Sequence, residues 1–195
     1  MDRLAATLAA VDAANADDPN TVVIDGVERP KELAHAQLMT EWVRRLEPEC
    51  TDEQLIAARA HHLRRWSVPR DAYPEGRSGY LRWRTDLKRQ HADEVGAIMR
   101  AAGYGDESVA RVQAIVRKQG LGRDPAVQTH EDALCLVFLQ TQFDELAERL
   151  GDDKTIEVLR KTAAKMSPAG LAAAQALPFS PAGAALLTRA LAPPD

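Results

Sequence analysis

Apolar residues recur along most of the chain every three or four positions, which is the spacing of one face of an α-helix. This pattern predicts a first helix with Leu4, Leu8 and Val11 on one face. Further helices are predicted over 30–46, 51–66, 80–102, 106–119, 125–150, 152–166, 167–177 and from 181 onward. Only Thr21 to Glu28 alternates like a β-strand, and one isolated strand makes no stable sheet. The chain is therefore predicted to be all-α.

Local signals support these boundaries. Thr51 and Gln54 form a capping-box pattern at the start of the third helix. Pro69 and Pro74 follow that helix and predict a loop that runs to about Gly79.

Several predicted helices carry one ionisable residue among the apolar residues of their inner face. These residues are His35, His62, His91 and Asp132, and His61 lies at the edge of the face that carries His62. Buried imidazoles and carboxylates must be hydrogen-bonded or bound to a metal, because an unpaired buried polar group costs several kcal/mol. If the four faces meet, the group would suit a divalent ion such as Mn, Fe, Zn, Co or Ni. Separate, hydrogen-bonded core histidines are the alternative.

The phase of the helix that carries Asp132 is the least well defined, because this helix is apolar nearly all round. His130 and Glu131 are therefore alternatives to Asp132.

The order of these residues resembles the HD-domain superfamily over roughly residues 31–140. The similarity rests on a histidine in one helix, an adjacent pair that closes the next helix (AARAHH), the segment HADEVGAIMRAAGY, and a carboxylate that opens an apolar helix (EDALCL). The resemblance implies an HD-domain-like helical bundle that binds metal and hydrolyses phosphate esters, while a subset of the superfamily with two irons are oxygenases. By position it implies candidate ligands at His35, His61, His62, His91 and Asp132. The predicted metal site is built from His62, His91 and Asp132, with either His35 or His61 completing it. Lys118, or whichever histidine is not a ligand, such as His91, would transfer the proton.

One position departs from the HD pattern. The second member of the adjacent pair should be aspartate, and here it is His62. The bridging carboxylate that holds two metals close together is therefore missing, which favours a single metal.

The chain also resembles, over most of its length, a family catalogued as a domain of unknown function. The segments that carry this second resemblance are NADDPN, RWSVPRDAYPEGRSGYLRWR, EDALCLVFL and KMSPAG. It implies no activity.

The segment Arg64 to Arg89 combines positive charge with aromatic rings. It contains eight arginines and lysines against Asp71, Glu75 and Asp86, a net charge of +5 within a chain of net charge −4. Guanidinium groups bind phosphate or carboxylate, and aromatic rings offer flat faces to a base or another ring. The predicted substrate-binding residues are Arg65, Trp66, Arg70, Tyr73, Arg77, Tyr80 and Arg84. A purely structural loop, with its arginines paired to acidic helices, is the alternative.

Length and composition limit the class of protein. The 195 residues suit one α-helical domain, with the HD-like core at about 31–140 and further helices over 152–192. The net charge does not favour nucleic acid as a partner, although nucleic acid and homo-oligomerisation remain open. Cys50 and Cys135 form no disulfide framework, which suits a cytoplasmic protein, and no apolar run is long enough to span a membrane.

These observations together predict a metal-dependent hydrolase. Its substrate would be a phosphorylated or otherwise anionic small molecule or nucleotide, attacked by metal-activated water. An HD-like iron oxygenase is one alternative. The other is a metal-free helical module that binds RNA, a nucleotide or a protein.

Overall fold

The computed structural model describes residues 2–192, and most of them are helical. The helices are α1 (Arg3–Ala16), α2 (Lys31–Leu46), α3 (Asp52–Arg59), α4 (Gly76–Ala101), α5 (Asp106–Val116), α6 (Pro125–Thr141), α7 (Phe143–Leu150), α8 (Asp152–Ala163), α9 (Pro168–Gln175) and α10 (Pro181–Leu191). The predicted all-α helical bundle is confirmed. None of the helices in the described part of the chain is both long and apolar enough to cross a membrane.

The described backbone forms two compact units, residues 2–130 and 131–192. In the first unit α3 and α4 both pack on α5, α2 packs on α3, and α1 contacts α2, α3 and α4. Its core contains Val11, Ile56, Leu63, Val95 and Val112, each 0% exposed. In the second unit α8 packs against α7 and α10. The single-domain organisation stays a prediction.

A β-hairpin replaces the single strand predicted over residues 21–28. Strand β1 (Thr21–Ile24) pairs antiparallel with β2 (Val27–Pro30). Asp25 and Gly26 form the turn with φ of 52° and 76°. Asp-Gly is the sequence signal for such a two-residue turn, because both of its positions need positive φ. The prediction of one isolated strand was therefore wrong.

The third helix ends seven residues earlier than its apolar pattern predicted. α3 stops at Arg59, and the chain continues in turns as far as Arg64. Arg64 has a left-handed φ of 50°, and its backbone N–H donates to Asn15 Oδ1 at 3.0 Å. This contact with the end of α1 supports a conformation that no helix can continue through. His61 and His62 therefore lie in a turn and not on a helix face.

The arginine-rich segment after this turn folds against α4. Trp83 Nε1 donates to Val68 O at 2.9 Å. Arg70 Nη1 donates to Tyr73 O and Nη2 donates to Pro74 O, both at 3.0 Å. These bonds hold two short 3-10 helices, Arg65–Ser67 and Arg70–Ala72, in place.

The junction between this segment and α4 depends on Gly79. A Cβ atom at this position would lie 1.8 Å from Pro74 O, a backbone atom that cannot move alone. We expect Gly79→Ala to lower the free energy of unfolding by about 1–3 kcal/mol, the usual cost of an overpacked site. Urea denaturation measures this. Ser78→Ala, at the exposed neighbouring position, is the control and should change it by less than about 0.5 kcal/mol.

The helix predicted over 125–150 is interrupted. α6 ends at Thr141 and α7 begins at Phe143, because Gln142 has φ of −132°. Phe143 is 1% exposed, so the break places a large apolar side chain in the interior of the second unit.

Candidate metal centre

The first turn of α2 contributes a buried carboxylate and a buried imidazole. Glu32 and His35 are 4% and 2% exposed and lie one helical turn apart. The Glu32 backbone N–H donates to Asp18 Oδ2 at 2.9 Å, which fixes the start of the helix. Burial raises the pKa of the Glu32 carboxyl group, although Arg65, His35 and Lys31 act in the opposite direction.

The turn after α3 places its two histidines differently from the sequence prediction. His61 is 5% exposed, whereas the His62 side chain is 29% exposed. The prediction that His62 is the inward member and His61 the peripheral one was wrong, because it assumed that the helix continued. The two rings stack with their centroids 4.2 Å apart, and the His62 and His91 rings are 5.9 Å apart.

Backbone carbonyl groups fix the orientation of two of the imidazoles. His91 Nδ1 lies 2.8 Å from Leu63 O, and His61 Nδ1 lies 3.1 Å from Ala58 O. Because a carbonyl oxygen only accepts, the proton is on Nδ1 and Nε2 carries a lone pair. Both Nε2 atoms are buried without a hydrogen-bond partner. A metal-binding histidine in a protein typically donates its second ring nitrogen in this manner.

Three side chains lie close enough together to bind one metal ion. Glu32, His61 and His62 each offer one donor atom within 4.8 Å of the other two. His62 Nδ1 is 3.2 Å from Glu32 Oε2. The donors of one zinc ion lie at most about 4.2 Å apart, twice the usual bond length. The group therefore fits a borderline divalent ion after small side-chain movements. His35 and His91 both interact electrostatically with Glu32.

The neutral form, which metals bind, is favoured for all four of these histidines: His35, His61, His62 and His91. Burial lowers the pKa of His91 to about 4 and lowers that of His35. The pKa values of His61 and His62 lie well below the ordinary value, again chiefly through burial. Neighbouring cations add to the effect, and for His62 these include Arg65 and Lys118. At neutral pH each of these imidazoles therefore keeps one ring nitrogen without a proton, which a metal can bind.

Lys118 and Asp132, the other two predicted site residues, lie outside the Glu32–His61–His62 group. Lys118 follows α5 with φ of 58°, and its charge lowers the pKa of both His62 and His130. Asp132 lies in the second unit, where its carboxylate accepts from Ser167 N at 2.9 Å and from Ser167 Oγ at 2.5 Å. Ser167 caps α9, so Asp132 supports the start of that helix. Its role as a metal ligand stays a prediction.

A cleft of about 420 Å³ opens beside the histidine group. Glu32 lines this cleft and also belongs to the metal-ligand group. The other lining residues are Pro19, Asn20, Lys31, Arg65, Trp66, Val68, Pro69, Arg70 and Trp83. Arg65 Nη1 is 3.7 Å from Glu32 Oε1, and its guanidinium group lies over the Trp83 ring at 4.9 Å. The wall of the cleft therefore contains basic side chains, aromatic rings and the Glu32 carboxylate.

The predicted substrate-binding residues divide into two groups. Arg65, Trp66 and Arg70 line the cleft, although Arg70 also donates to main-chain carbonyl groups of its own loop. The structure places Tyr73, Arg77, Tyr80 and Arg84 outside the lining of the cleft. The Tyr73 hydroxyl donates to Asp86 Oδ2 at 3.1 Å, which supports a structural role.

Glu32 is the site residue that sequence reasoning missed. A glutamate in a first helical turn is usually explained by the helix dipole and solvent exposure. The signal was the spacing of Glu32 and His35, three positions apart and hence on one face of α2. Trp83 and Lys31 were also missed as cleft residues.

Comparison with known families and proteins gives one match. The model of a family described as a domain of unknown function (DUF4202) matches residues 5–187. Among curated proteins and among solved structures, no match is found.

Proposed function

The chain belongs to the DUF4202 family, which carries no known activity, and from its site we propose that it is a metal-dependent hydrolase of anionic, phosphorylated substrates. We further propose that it is a divergent member of the HD-domain superfamily and acts in the cytoplasm. One observation carries the hydrolase proposal. Glu32 is at once a member of the Glu32–His61–His62 group and a wall of the positively charged cleft.

The side chains around the cleft have separable roles in this proposal. A bound divalent ion would polarise a phosphoryl oxygen and lower the pKa of a water molecule toward neutrality. Lys31 and Arg65 neutralise the charge of the substrate, and Trp66 and Trp83 give it an apolar wall. His91 donates its Nδ1 proton to Leu63 O, so Nε2 is the ring atom that can accept a proton.

A single-metal centre agrees with the departure from the HD pattern. His62 stands where that superfamily has the aspartate that bridges two metals. Glu32, His61 and His62 supply one carboxylate and two imidazoles, with donor atoms within 4.8 Å of one another.

An iron oxygenase is a second candidate, and the composition of the ligand set favours it. Two histidines and one carboxylate that leave other metal positions open are typical of non-haem iron oxygenases. Glu32, His61 and His62 supply this combination.

Metal analysis tests the proposed centre directly. Protein purified without a His-tag should contain about one equivalent of divalent metal per chain by mass spectrometry. His61→Ala and His62→Ala should each remove it. Thr155→Ala is the control, because Thr155 is a buried polar residue at 0% exposure outside the Glu32–His61–His62 group. Substoichiometric metal in the wild type, with stability unchanged by chelator, would instead support the metal-free binding module.

Activity assays separate the two enzyme candidates. A panel of nucleotides and phosphoesters should release phosphate or a dephosphorylated product when metal is present, with equal rates in air and without oxygen. Turnover that requires oxygen would contradict the hydrolase and support the oxygenase.

A further inference from the structure

One exposed face of α4 carries a continuous strip of arginines and large non-polar side chains. Tyr80, Leu81 and Arg84 follow Arg77 at three, four and seven positions, so they share one face of the helix. We call these four residues the α4 strip. Tyr80 and Leu81 are 43% and 50% exposed. The Arg84 guanidinium group lies over the Tyr80 ring at 5.7 Å.

The arginines of the α4 strip differ from those on the opposite face of the same helix. Asp86 lies 4.0 Å from Arg82 and 3.3 Å from Arg89, so the opposite face is partly neutralised. Within the described residues 2–192, no carboxylate lies within ion-pair distance of Arg77 or Arg84. The first half of α4, residues 76–92, contains five arginines and lysines and one aspartate. The strip is therefore locally positive although the chain is acidic overall.

The α4 strip continues into the cleft through Trp83. The Tyr80 and Trp83 rings are 5.9 Å apart. The Arg65 guanidinium group lies on Trp83 at 4.9 Å and reaches to 3.7 Å from Glu32. Aromatic rings and guanidinium groups thus follow one another from solvent to the candidate metal centre.

This alternation matches the chemistry of a single-stranded nucleic acid. Unpaired bases stack on aromatic side chains and on arginine, while the phosphates bind guanidinium groups. A duplex would hide its base faces from the rings. An anionic membrane surface would meet the exposed face of α4 but would not use the rings inside the cleft.

We propose that the α4 strip binds single-stranded nucleic acid and leads its phosphodiester backbone to the Glu32–His61–His62 group. This inference rests on the proposed hydrolase function and specifies its substrate class. In the reaction, the oxygen of water bonds to phosphorus and the ester P–O bond breaks. The proton lost by the water ends on the leaving hydroxyl group, so the products are one phosphate end and one hydroxyl end.

Binding to a labelled single-stranded oligonucleotide of about ten nucleotides, within the usual site size, tests the inference. Fluorescence anisotropy of the full chain in chelator measures affinity without turnover. Arg84→Gln and Tyr80→Ala should each weaken binding by at least about fivefold, the lower limit for loss of one stacked base. Arg82→Gln removes the same charge from the opposite face of α4 and should change affinity by less than about twofold.

Salt dependence and competing ligands provide the remaining criteria. Arg84→Gln should reduce the slope of log affinity against log salt by about 0.7 for one lost phosphate contact, whereas Arg82→Gln should leave it unchanged. Equal effects of the two variants would overturn the proposal. So would binding to phosphatidylserine vesicles without binding to the oligonucleotide.

The two proposals fail in different ways. The oligonucleotide could bind through the α4 strip and yet not be cleaved in the presence of metal. This result would contradict the hydrolase function but would support the α4 strip as a binding site for single-stranded nucleic acid. The protein could instead hydrolyse small phosphoesters with metal but fail to bind the oligonucleotide. This result would support the hydrolase function and overturn the proposal that the α4 strip binds nucleic acid.

Discussion

Glu32→Gln should abolish stoichiometric metal binding and weaken the affinity for divalent metal by at least about a hundredfold, because it removes a ligand, and loss of a residue that only orients a ligand already costs about tenfold to a hundredfold. The substitution preserves the shape of the side chain but removes the charge of the one carboxylate in the Glu32–His61–His62 group. Isothermal titration calorimetry of the chelated protein measures this change. Glu28→Gln, on the exposed strand β2, removes the same charge and should leave the metal affinity unaltered.

The stability of the same variant distinguishes loss of the metal from loss of the fold. Burial raises the pKa of Glu32, so its ionised form destabilises the metal-free protein. In chelator, Glu32→Gln should therefore unfold at the same urea concentration as the wild type or a higher one. Metal at a hundred times the wild-type Kd should stabilise the wild type by about 2.7 kcal/mol and the variant by no more than about 0.4 kcal/mol. A chelated variant that is much less stable than the wild type would contradict this explanation.

Acidification from pH 7.5 to pH 5 should destabilise the metal-free protein by about 4 kcal/mol through His91 and His130 alone. The chain has five histidines, and all five have lowered pKa values in the folded state. Below pH 6.5 the unfolded chain binds protons that the folded chain does not, so stability is lost as the pH falls. The His91 and His130 pKa values of about 4 and about 3 each correspond to about 2 kcal/mol at pH 5.

Urea denaturation in chelator at several pH values measures this dependence. His35, His61 and His62 add to the loss, whereas the raised pKa of Glu32 opposes it, because the folded state then binds the proton more tightly. His130→Gln should reduce the dependence on pH by the contribution of one histidine, because its imidazole is buried with a pKa of about 3. A stability that stays constant from pH 7.5 to pH 5 would show that these histidines titrate normally.

The sequence predicted the helices well where the apolar period and the end signals agreed. α2 follows Pro30 as expected, and the capping box of Thr51 with Gln54 is present. It failed where a distant contact decided the local conformation. The turn at Arg64 depends on Asn15, 49 residues earlier, and no pattern near Arg64 marks it. The hairpin turn at Asp25-Gly26 did carry a local signal that was not used.

The sequence predicted which types of residue form the candidate site. It did not predict which of them lie close together. Periodicity places His35 and His91 in the interior, and both are 2% exposed. It cannot say which helix faces meet, because that depends on the packing of elements far apart in the chain. The pairing of Glu32 with His62 joins α2 to the turn after α3, and only the tertiary structure brings these two side chains within 3.2 Å.

The left-handed turn at Arg64 implies a trade-off between backbone stability and the assembly of the Glu32–His61–His62 group. A non-glycine residue in this conformation costs about 1–2 kcal/mol, and a chain that continued α3 would avoid that cost. In a continued helix, however, the side chains of His61 and His62 would point in directions about 100° apart. The protein therefore keeps a locally unfavourable backbone that turns both imidazoles toward Glu32. Substitutions selected only for thermal stability would be expected to accumulate around Arg64 and to reduce metal binding by the proposed centre.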